Sequence, residues 1–156
     1  MTATAENGWA LTVTCLIDAP PEKVWQVMTE RQDEWWCPLP WRAEIIEQDW
    51  RAGGVTDMVM RGPEGEEHPH SGIFLEVVPG VRWVATDAVT RGADGTLMPS
   101  GPFMLGCWEI APEAGGTRYT ATGRHWNEET AKQHEAMGFT DGWAACAAQL
   151  KALCEA

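Results

Sequence analysis

The C-terminal stretch from His125 to Ala156 places the strongest constraint on the fold of this chain. Apolar residues recur there at spacings of three and four, at Phe139, Trp143, Cys146, Leu150 and Leu153. This spacing predicts a long amphipathic helix, and Asn127 is placed to act as its N-cap. Gly138 and Gly142 interrupt the helix, each costing about 1 kcal/mol relative to alanine, so we expect a bend or a close backbone approach there. Such a helix needs a sheet against which to bury its stripe.

The segments before this helix predict an antiparallel sheet with two short helices near its start. Residues from Trp9 to Ile17 alternate between apolar and polar side chains, which predicts a strand with one buried face that begins with Trp9. Pro21 suits the first position of a helix. A second helical turn, from Arg31 to Trp36, must end before Pro38 because proline cannot continue a helix.

Six further strands are predicted between the short helices and the long one. They cover Ala43–Trp50, Val55–Arg61, Glu66–Val78, Val81–Asp87, Phe103–Ala111 and Thr117–His125. The segment Ala88–Pro102 is rich in Gly, Pro, Asp and Ser, which predicts a flexible rim. Consecutive hairpins indicate an antiparallel sheet, and the helix must lie across its concave face. The predicted fold class is therefore α+β, with a curved sheet of about six to seven strands wrapped around the C-terminal helix.

Length and charge limit the class of protein. A chain of 156 residues is expected to form a single domain over residues 1–156, with a core from about residue 9 to residue 153. It has 23 acidic and 11 basic residues, a formal charge of -12, and no cluster of Lys and Arg. Nucleic acids and anionic membranes are bound through such clusters, so neither is an expected partner. No apolar run approaches the roughly 20 residues that span a bilayer, and Met1–Gly8 lacks the features of a signal peptide.

Cysteine and tryptophan usage gives two further indications. The five cysteines include no CxxC pair, which favours reduced thiols and a cytoplasmic location. The ten tryptophans exceed what a small core needs, and their wide aromatic faces also suit the lining of a cavity.

Several short motifs, taken in order, resemble one known superfamily. They are Asp18-Ala19-Pro20 with Val24-Trp25, Trp35-Trp36 with Pro38, Arg51-Ala52-Gly53-Gly54, Met60-Arg61-Gly62-Pro63-Glu64-Gly65, Gly72, Gly116-Thr117-Arg118, and His134 with Gly142-Trp143 before Leu150. Their order and spacing resemble the START-like helix-grip superfamily (SRPBCC), whose fold is also that of the birch-pollen allergen. More narrowly, the chain resembles the family named after the C-terminal domain of the activator of heat-shock-protein-90 ATPase. The likeness covers about Trp9 to Leu153.

The resemblance implies a deep pocket between the sheet and the C-terminal helix that holds a small apolar or amphipathic molecule. The first half of the helix, Asn127–Gly142, should then cover the pocket, while Trp143–Leu153 anchors the core. Members of the superfamily include ligand carriers, sensors, stress and self-resistance proteins, and cyclase-like enzymes, and no universal catalytic residue can be carried over. The eukaryotic chaperone activator has a separate N-terminal domain, whereas this sequence begins at Met1, so a chaperone partner is disfavoured. The sequence does not decide whether the protein forms a homodimer.

The histidines are the candidate polar residues of such a pocket. His68 and His70 lie two apart, as two metal ligands on one strand face would, but Glu66 and Glu67 beside them indicate a solvated strand, and we expect no metal. The other pair, at the end of the last strand and in the second turn of the long helix, comprises His125 and His134. Both imidazoles could approach one end of the cavity, to orient a polar group of the ligand or to act as acid or base. The alternative is that His125 satisfies a carbonyl at the entry of the helix and His134 is exposed.

A set of aromatic, methionine and histidine residues is predicted to bind the ligand. These residues are Trp36, Met58, Met60, Phe74, Trp83, Trp108, His125, His134 and Met137. Met adapts to irregular shapes and tryptophan supplies wide apolar walls, although a dry, packed core would use the same residues. The chain has no GxSxG elbow, phosphate loop or dinucleotide fingerprint, so we assign no catalytic residue and no cofactor. We favour ligand binding without chemistry, and the alternatives are a cyclase- or hydrolase-like enzyme using the pocket histidines, or a chaperone-interaction module.

Overall fold

The computed structural model describes residues 2–6, 9–101 and 104–156. The strands are β1 Thr2–Glu6, β2 Ala10–Ile17, β3 Arg42–Gln48, β4 Val55–Arg61, β5 Glu67–Val78, β6 Arg82–Thr86, β7 Val89–Arg91, β8 Leu97–Pro99, β9 Met104–Glu113 and β10 Gly116–His125. The helices are α1 Pro21–Glu30, α2 Gln32–Trp35, α3 Glu128–Ala136 and α4 Phe139–Glu155. None of these helices is both long enough and apolar enough to cross a membrane.

The main sheet confirms the predicted α+β class and antiparallel pairing. Its strands lie in the order β1-β2-β10-β9-β6-β5-β4-β3, and every neighbouring pair is antiparallel. Register shifts at Ile45/Glu47 and at Phe74/Glu76 mark irregularities of the bulge type, which increase the bend and twist of a strand. The sheet has one strand more than the predicted maximum of seven, since the N-terminal β1 pairs with β2.

The segment predicted to be a flexible rim contains regular structure. Strands β7 and β8 pair as a small separate hairpin within it. Their short lengths and three exposed β8 residues explain why no periodic signal marked them. Pro102 and Phe103 lie outside the described residues, so the predicted end of the rim and start of the following strand fall there, and β9 is described from Met104 onward.

Strand β2 shows how alternation in the sequence becomes burial. Leu11, Val13, Cys15 and Ile17 are all buried, as predicted. Trp9 is the exception, because it precedes the strand and is 50% exposed. The prediction that it shares the buried face was therefore wrong. Its backbone carbonyl still accepts a hydrogen bond from the amide of His125, which ties the start of β2 to the end of β10.

Prolines mark the start of α1 and follow shortly after the end of α2. Pro21 is the first residue of α1, and Pro20 before it is extended. Helix α2 ends at Trp35, and the chain then passes through Cys37, whose φ of 78° is in the left-handed region. Gln149 of α4 holds this passage, since its side-chain amide donates to the carbonyls of Trp35 and Cys37 at 2.9 Å each.

The predicted single C-terminal helix is in fact two helices separated at Gly138. This glycine has φ of 97°, a conformation that residues with a Cβ rarely adopt, and this explains the break. Asn127 caps α3 as predicted, and Thr130 completes a reciprocal capping box. Gly142 lies inside α4, where an added Cβ would be 3.7 Å from Pro38 Cγ, an ordinary contact. Neither a bend nor a close approach therefore requires glycine at this second position.

The two helices differ in how much they bury. Helix α4 buries Phe139, Trp143, Cys146, Ala147, Leu150 and Cys154 in the main core. Helix α3 buries Ala131 alone among its described residues. The stripe thus continues to Cys154 rather than Leu153, which is half-buried. Helix α4 packs against β2 and anchors the core, while α3 covers one end of the space between helix and sheet.

Candidate functional site

A cavity with an inner and an outer part lies between the sheet and the C-terminal helices. The inner part holds about 50 Å³, and the outer part holds about 380 Å³. Both parts are lined by Trp36, His70, Asp87, Met104 and Trp108, so they adjoin along a shared wall. The outer volume falls within the range of about 300–1,000 Å³ that is usual for small-molecule sites.

All nine residues predicted to bind a ligand lie on the walls of this cavity. Met58, Phe74 and Trp83 line the inner part, the outer part is lined by Met60, His125, His134 and Met137, and Trp36 and Trp108 line both. Their burial is uneven: Phe74 and Trp83 are 1% and 2% exposed and serve mainly as core, whereas Met137 is 84% exposed and stands at the mouth.

Sequence reasoning missed a further set of lining residues, most of them polar or small. This set comprises Gln32, Thr56, His70, Gly72, Ala85, Thr86, Asp87, Met104, Thr130, Gln133 and Trp143. Strand alternation was an available signal for Thr56, which shares a face with Met58 and Met60. Asp87 follows the end of β6, where no periodic pattern applies.

The two neighbouring histidines of β5 have separate environments. The His68 ring packs against Trp41 with ring centroids 5.4 Å apart, while His70 is half-buried on the cavity wall. Among the described residues, no group of three or more His, Cys, Asp or Glu side chains could hold a metal ion.

Gly106 makes room for the indole that forms the centre of the cavity wall. A Cβ at this position would lie 2.4 Å from Cη2 of Trp108, far inside van der Waals contact. Because the position is glycine, the Trp108 ring can stack on Trp83 and on Trp143, with centroid distances of 5.5 and 5.4 Å. The Nε1–H of Trp108 is buried and has no hydrogen-bond partner among the described residues.

The most ordered polar feature of the cavity is a direct hydrogen bond between His125 and His134. Nε2 of His125 lies 2.7 Å from Nδ1 of His134, and Nδ1 of His125 lies 3.0 Å from the carbonyl oxygen of Trp9. A carbonyl can only accept, so Nδ1 of His125 must carry a hydrogen. In the neutral pair, Nε2 of His125 then accepts from Nδ1–H of His134. This assignment leaves Nε2 of His134 as an acceptor, and it has no partner among the described residues.

Both imidazoles line the outer cavity, as the first interpretation of this pair predicted. The alternative was wrong in both parts, because His125 bonds to the carbonyl of Trp9 before β2 rather than to one at the helix entry, and His134 is half-buried rather than exposed. Phe139 packs edge-on against both rings, at centroid distances of 5.9 and 4.7 Å, and so limits their rotation. The geometry therefore presents one oriented imidazole, that of His134, at the covered end of the cavity.

Burial lowers the pKa of His134 below its ordinary value, because water is replaced by apolar surroundings. A positive charge on His125 would lower it further, while Asp87 and Glu135 act in the opposite direction. The net shift is downward, so His134 is neutral at pH 7 and its Nε2 lone pair is available.

The lowered pKa of His134 predicts a loss of stability in mild acid. The unfolded chain takes up this proton near pH 6.5 and the folded protein only at lower pH, so the free energy of unfolding should fall as pH drops through that window. Urea unfolding at a series of pH values should show that the free energy of unfolding falls less in acid for His134→Gln than for the wild type. His68→Gln, which removes an exposed imidazole, should keep the wild-type profile. Identical profiles for the wild type and His134→Gln would contradict the assignment.

Asp87 supplies the only carboxylate among the described residues that line the two parts of the cavity. Its Oδ1 accepts a hydrogen bond from the backbone amide of Met104 at 2.8 Å. The neighbouring Thr86 hydroxyl donates to the Met104 carbonyl and accepts from the Ala88 amide, which fixes the backbone on both sides of Asp87. The carboxylate is therefore held in one orientation at the cavity wall.

The cysteines do not add a nucleophile to this site. All five are free. Burial raises the pKa of Cys37 to about 11 and that of Cys146 to about 12, so both are protonated thiols at neutral pH.

A curved antiparallel sheet that holds a C-terminal helix over a cavity defines a START-like, helix-grip protein. A family model described as activator of Hsp90 ATPase homolog 1-like protein matches residues 18–155. The chain therefore belongs to the activator of Hsp90 ATPase homolog 1-like family, as the sequence motifs predicted.

Solved structures agree with this assignment. A Nitrosomonas europaea protein is 34% identical over 97% of both chains, with a TM-score of 0.87. A protein from Arthrobacter aurescens shares the fold at 19% identity, covering 99% of this chain and 91% of its own, with a TM-score of 0.85. A Silicibacter pomeroyi protein that carries the family's designation is 21% identical over 92% of this chain and 95% of its own, with a TM-score of 0.69. No curated protein matches the chain significantly.

Proposed function

We propose that this protein binds a small apolar or amphipathic molecule in the cavity between the sheet and the C-terminal helices, without transforming it. The observation that carries the proposal is the outer cavity of about 380 Å³, whose walls combine Trp and Met side chains with a few oriented polar groups. Small-molecule sites share this composition, since apolar walls give affinity and convergent polar groups give orientation.

The cavity walls suit a ligand of irregular shape. Met60, Met104 and Met137 have flexible, polarizable side chains that can adapt to a guest. On the same cavity walls, Trp108 and Trp143 are fixed by stacking at 5.4 Å and present a rigid apolar surface. The five free cysteines also support the cytoplasm as the proposed compartment.

Decanol, a neutral amphipathic probe, tests the proposal through tryptophan fluorescence titration and calorimetry. Met60→Trp adds bulk to a cavity wall and should weaken decanol binding by about tenfold or more, equivalent to about 1.4 kcal/mol. Val59→Trp is the matched control, because adjacent strand residues point to opposite faces, and it should stay within about twofold of the wild type. Equal affinities in all three proteins would place the probe elsewhere and contradict the proposal. Native mass spectrometry of protein from its own host should in addition reveal a retained small molecule.

A second candidate function is acid–base catalysis by the histidine pair. The observation that favours it is the 2.7 Å contact that orients His134 toward proton transfer at the outer cavity. The molecule retained from the host is the substrate for this test. Conversion of that molecule by the wild-type protein, lost in His134→Gln while binding persists, would establish catalysis. Binding without conversion leaves the carrier function.

A further inference from the structure

We propose that the cavity selects amphipathic amines, that is, molecules with a protonated amine on an apolar body. This inference rests on the proposed binding function and adds the chemical class of the ligand. It comes from the charge and hydrogen-bonding character of the polar groups that line the cavity, taken together with its aromatic walls.

The first supporting observation is the sign of the charge in the cavity. Asp87 lies on the shared wall of the inner and outer parts, and no Lys or Arg is found among the described lining residues. A ligand with a carboxylate or phosphate group would therefore meet a like charge with no compensating cation. A protonated amine would instead gain an opposite charge in a partly desolvated site, where such pairs are stronger than in water.

The second observation is that Asp87 is positioned to receive a ligand. Its Oδ1 is occupied by the amide of Met104, which fixes the carboxylate plane. Its Oδ2 has no hydrogen-bond partner among the described residues, so it remains available as an acceptor. An ammonium group has three donors and no acceptor, so it can donate to this free carboxylate oxygen.

The third observation is the acceptor on His134. The hydrogen-bond chain from the Trp9 carbonyl through His125 leaves Nε2 of His134 with a lone pair. Asp87 and His134 line the same outer part of the cavity, and Asp87 is close enough to influence the charge of the imidazole. An ammonium group in the outer part of the cavity therefore has both acceptors on the surrounding walls. The histidine pair thus serves as a fixed acceptor, held in its tautomer by the backbone carbonyl of Trp9.

The aromatic walls complete the match. Trp36, Trp108 and Trp143 all line the outer cavity, and their ring contacts of 5.4–5.7 Å hold them in place. The faces of indole rings attract cations that lie within about 6 Å of the ring centroid. The same rings also exclude water around the apolar body of the ligand. Charge, hydrogen bonding and aromatic surface therefore favour the same class of molecule.

The pH dependence of amine binding follows from the groups around His134. His125 contacts it from β10, Asp87 lies near it from the end of β6, Glu135 neighbours it on α3, and His70 shares the cavity wall from β5. Protonation of His134 in mild acid removes the Nε2 acceptor and adds a like charge. Amine affinity should therefore decline in acid relative to the affinity for a neutral alcohol with the same alkyl chain.

Decylamine, decanol and decanoate share one alkyl chain and differ in the charge of the head group. Comparing them therefore separates the contribution of the head-group charge to the affinity from that of the alkyl chain. Calorimetry and tryptophan fluorescence at about pH 8, below micelle formation, should show decylamine binding at least about tenfold tighter than decanoate, with decanol between them. Asp87→Asn preserves the acceptor for the Met104 amide and should lower the ratio of decylamine affinity to decanol affinity by about tenfold. Asp57→Asn makes the same charge change on the face of β4 opposite to Met58 and Met60, which line the cavity. It should leave the affinities for decylamine and decanol unchanged.

The outcomes distinguish this inference from the function on which it rests. The amine preference is overturned if decanoate binds as tightly as decylamine. It is also overturned if Asp87→Asn leaves the ratio of decylamine affinity to decanol affinity unchanged. In either case, binding of decanol upholds the cavity function. Equal weakening by Asp87→Asn and Asp57→Asn shows attraction to the net charge of the chain and also overturns it. Absence of binding by all three probes overturns the cavity function itself.

Discussion

Replacing Trp35 with alanine is expected to lower the free energy of unfolding by about 3–5 kcal/mol, which is a large share of the stability of an ordinary domain. Trp35 is fully buried, and its ring packs edge-on against Trp36 and Tyr119, with centroids 5.5 and 6.2 Å apart. Its Nε1–H donates to the carbonyl of Met28 at 3.3 Å, which joins α2 to the end of α1. Loss of the ring leaves a cavity and an unpaired carbonyl, and urea unfolding followed by circular dichroism measures the cost.

Two further variants make this prediction specific. Trp35→Phe keeps an aromatic ring but loses the indole N–H, so we expect a smaller loss of about 1–2 kcal/mol. Trp9→Ala removes a ring that is 50% exposed and retains the backbone carbonyl that bonds to His125, so its cost should stay below about 1 kcal/mol. Equal losses for Trp35→Ala and Trp9→Ala would mean that burial does not determine the role of these tryptophans.

Gly106→Ala should also destabilise the protein, by about 1–3 kcal/mol, through overpacking. The added methyl group would lie 2.4 Å from the Trp108 ring, and stacking on Trp83 and Trp143 leaves that ring little room to move. The displaced indole forms the shared wall of the cavity, so decanol affinity should change together with the stability. Thermal unfolding and fluorescence titration of the same sample measure both effects.

Gly142→Ala is the matched control, because the same substitution at that position should raise the stability rather than lower it. Its methyl group would meet Pro38 at 3.7 Å, an ordinary contact inside helix α4. Alanine is favoured over glycine in a helix interior by up to about 1 kcal/mol, so this variant should be slightly more stable than the wild type. A stabilised Gly106→Ala protein would refute the close-packing argument.

The sequence predicted those parts of the fold in which periodic burial dominates. Alternation and helical spacing directly record which side chains leave water. The buried residues predicted in this way are Leu11, Val13, Cys15, Ile17, Phe139, Trp143, Cys146 and Leu150. Strand β1 and the β7–β8 hairpin went unrecognised because segments of three to five residues are too short to show a period. The helix break at Gly138 was marked by the glycine itself, but choosing between a bend and a close approach required its φ angle.

The candidate site was predictable to a different extent. Its apolar walls follow from strand alternation, which places Thr56, Met58 and Met60 on one face. The contact between His125 and His134 depends on how α3 is oriented after β10, and a nine-residue separation does not determine that orientation. Asp87 and Gly106 were missed because one lies in a loop and the other acts through the ring of Trp108.

The stacked indoles of the core also have an optical consequence. Seven of the ten tryptophans form a continuous series of ring contacts with centroid separations of 4.9–5.8 Å, namely Trp25, Trp35, Trp36, Trp50, Trp83, Trp108 and Trp143. At such separations, excitation energy passes between rings faster than light is emitted, and neighbouring transitions couple as excitons. The emission of these residues is therefore a collective property. A guest that touches Trp108 alone alters the light emitted by the whole series, so the protein carries its own reporter of cavity occupancy.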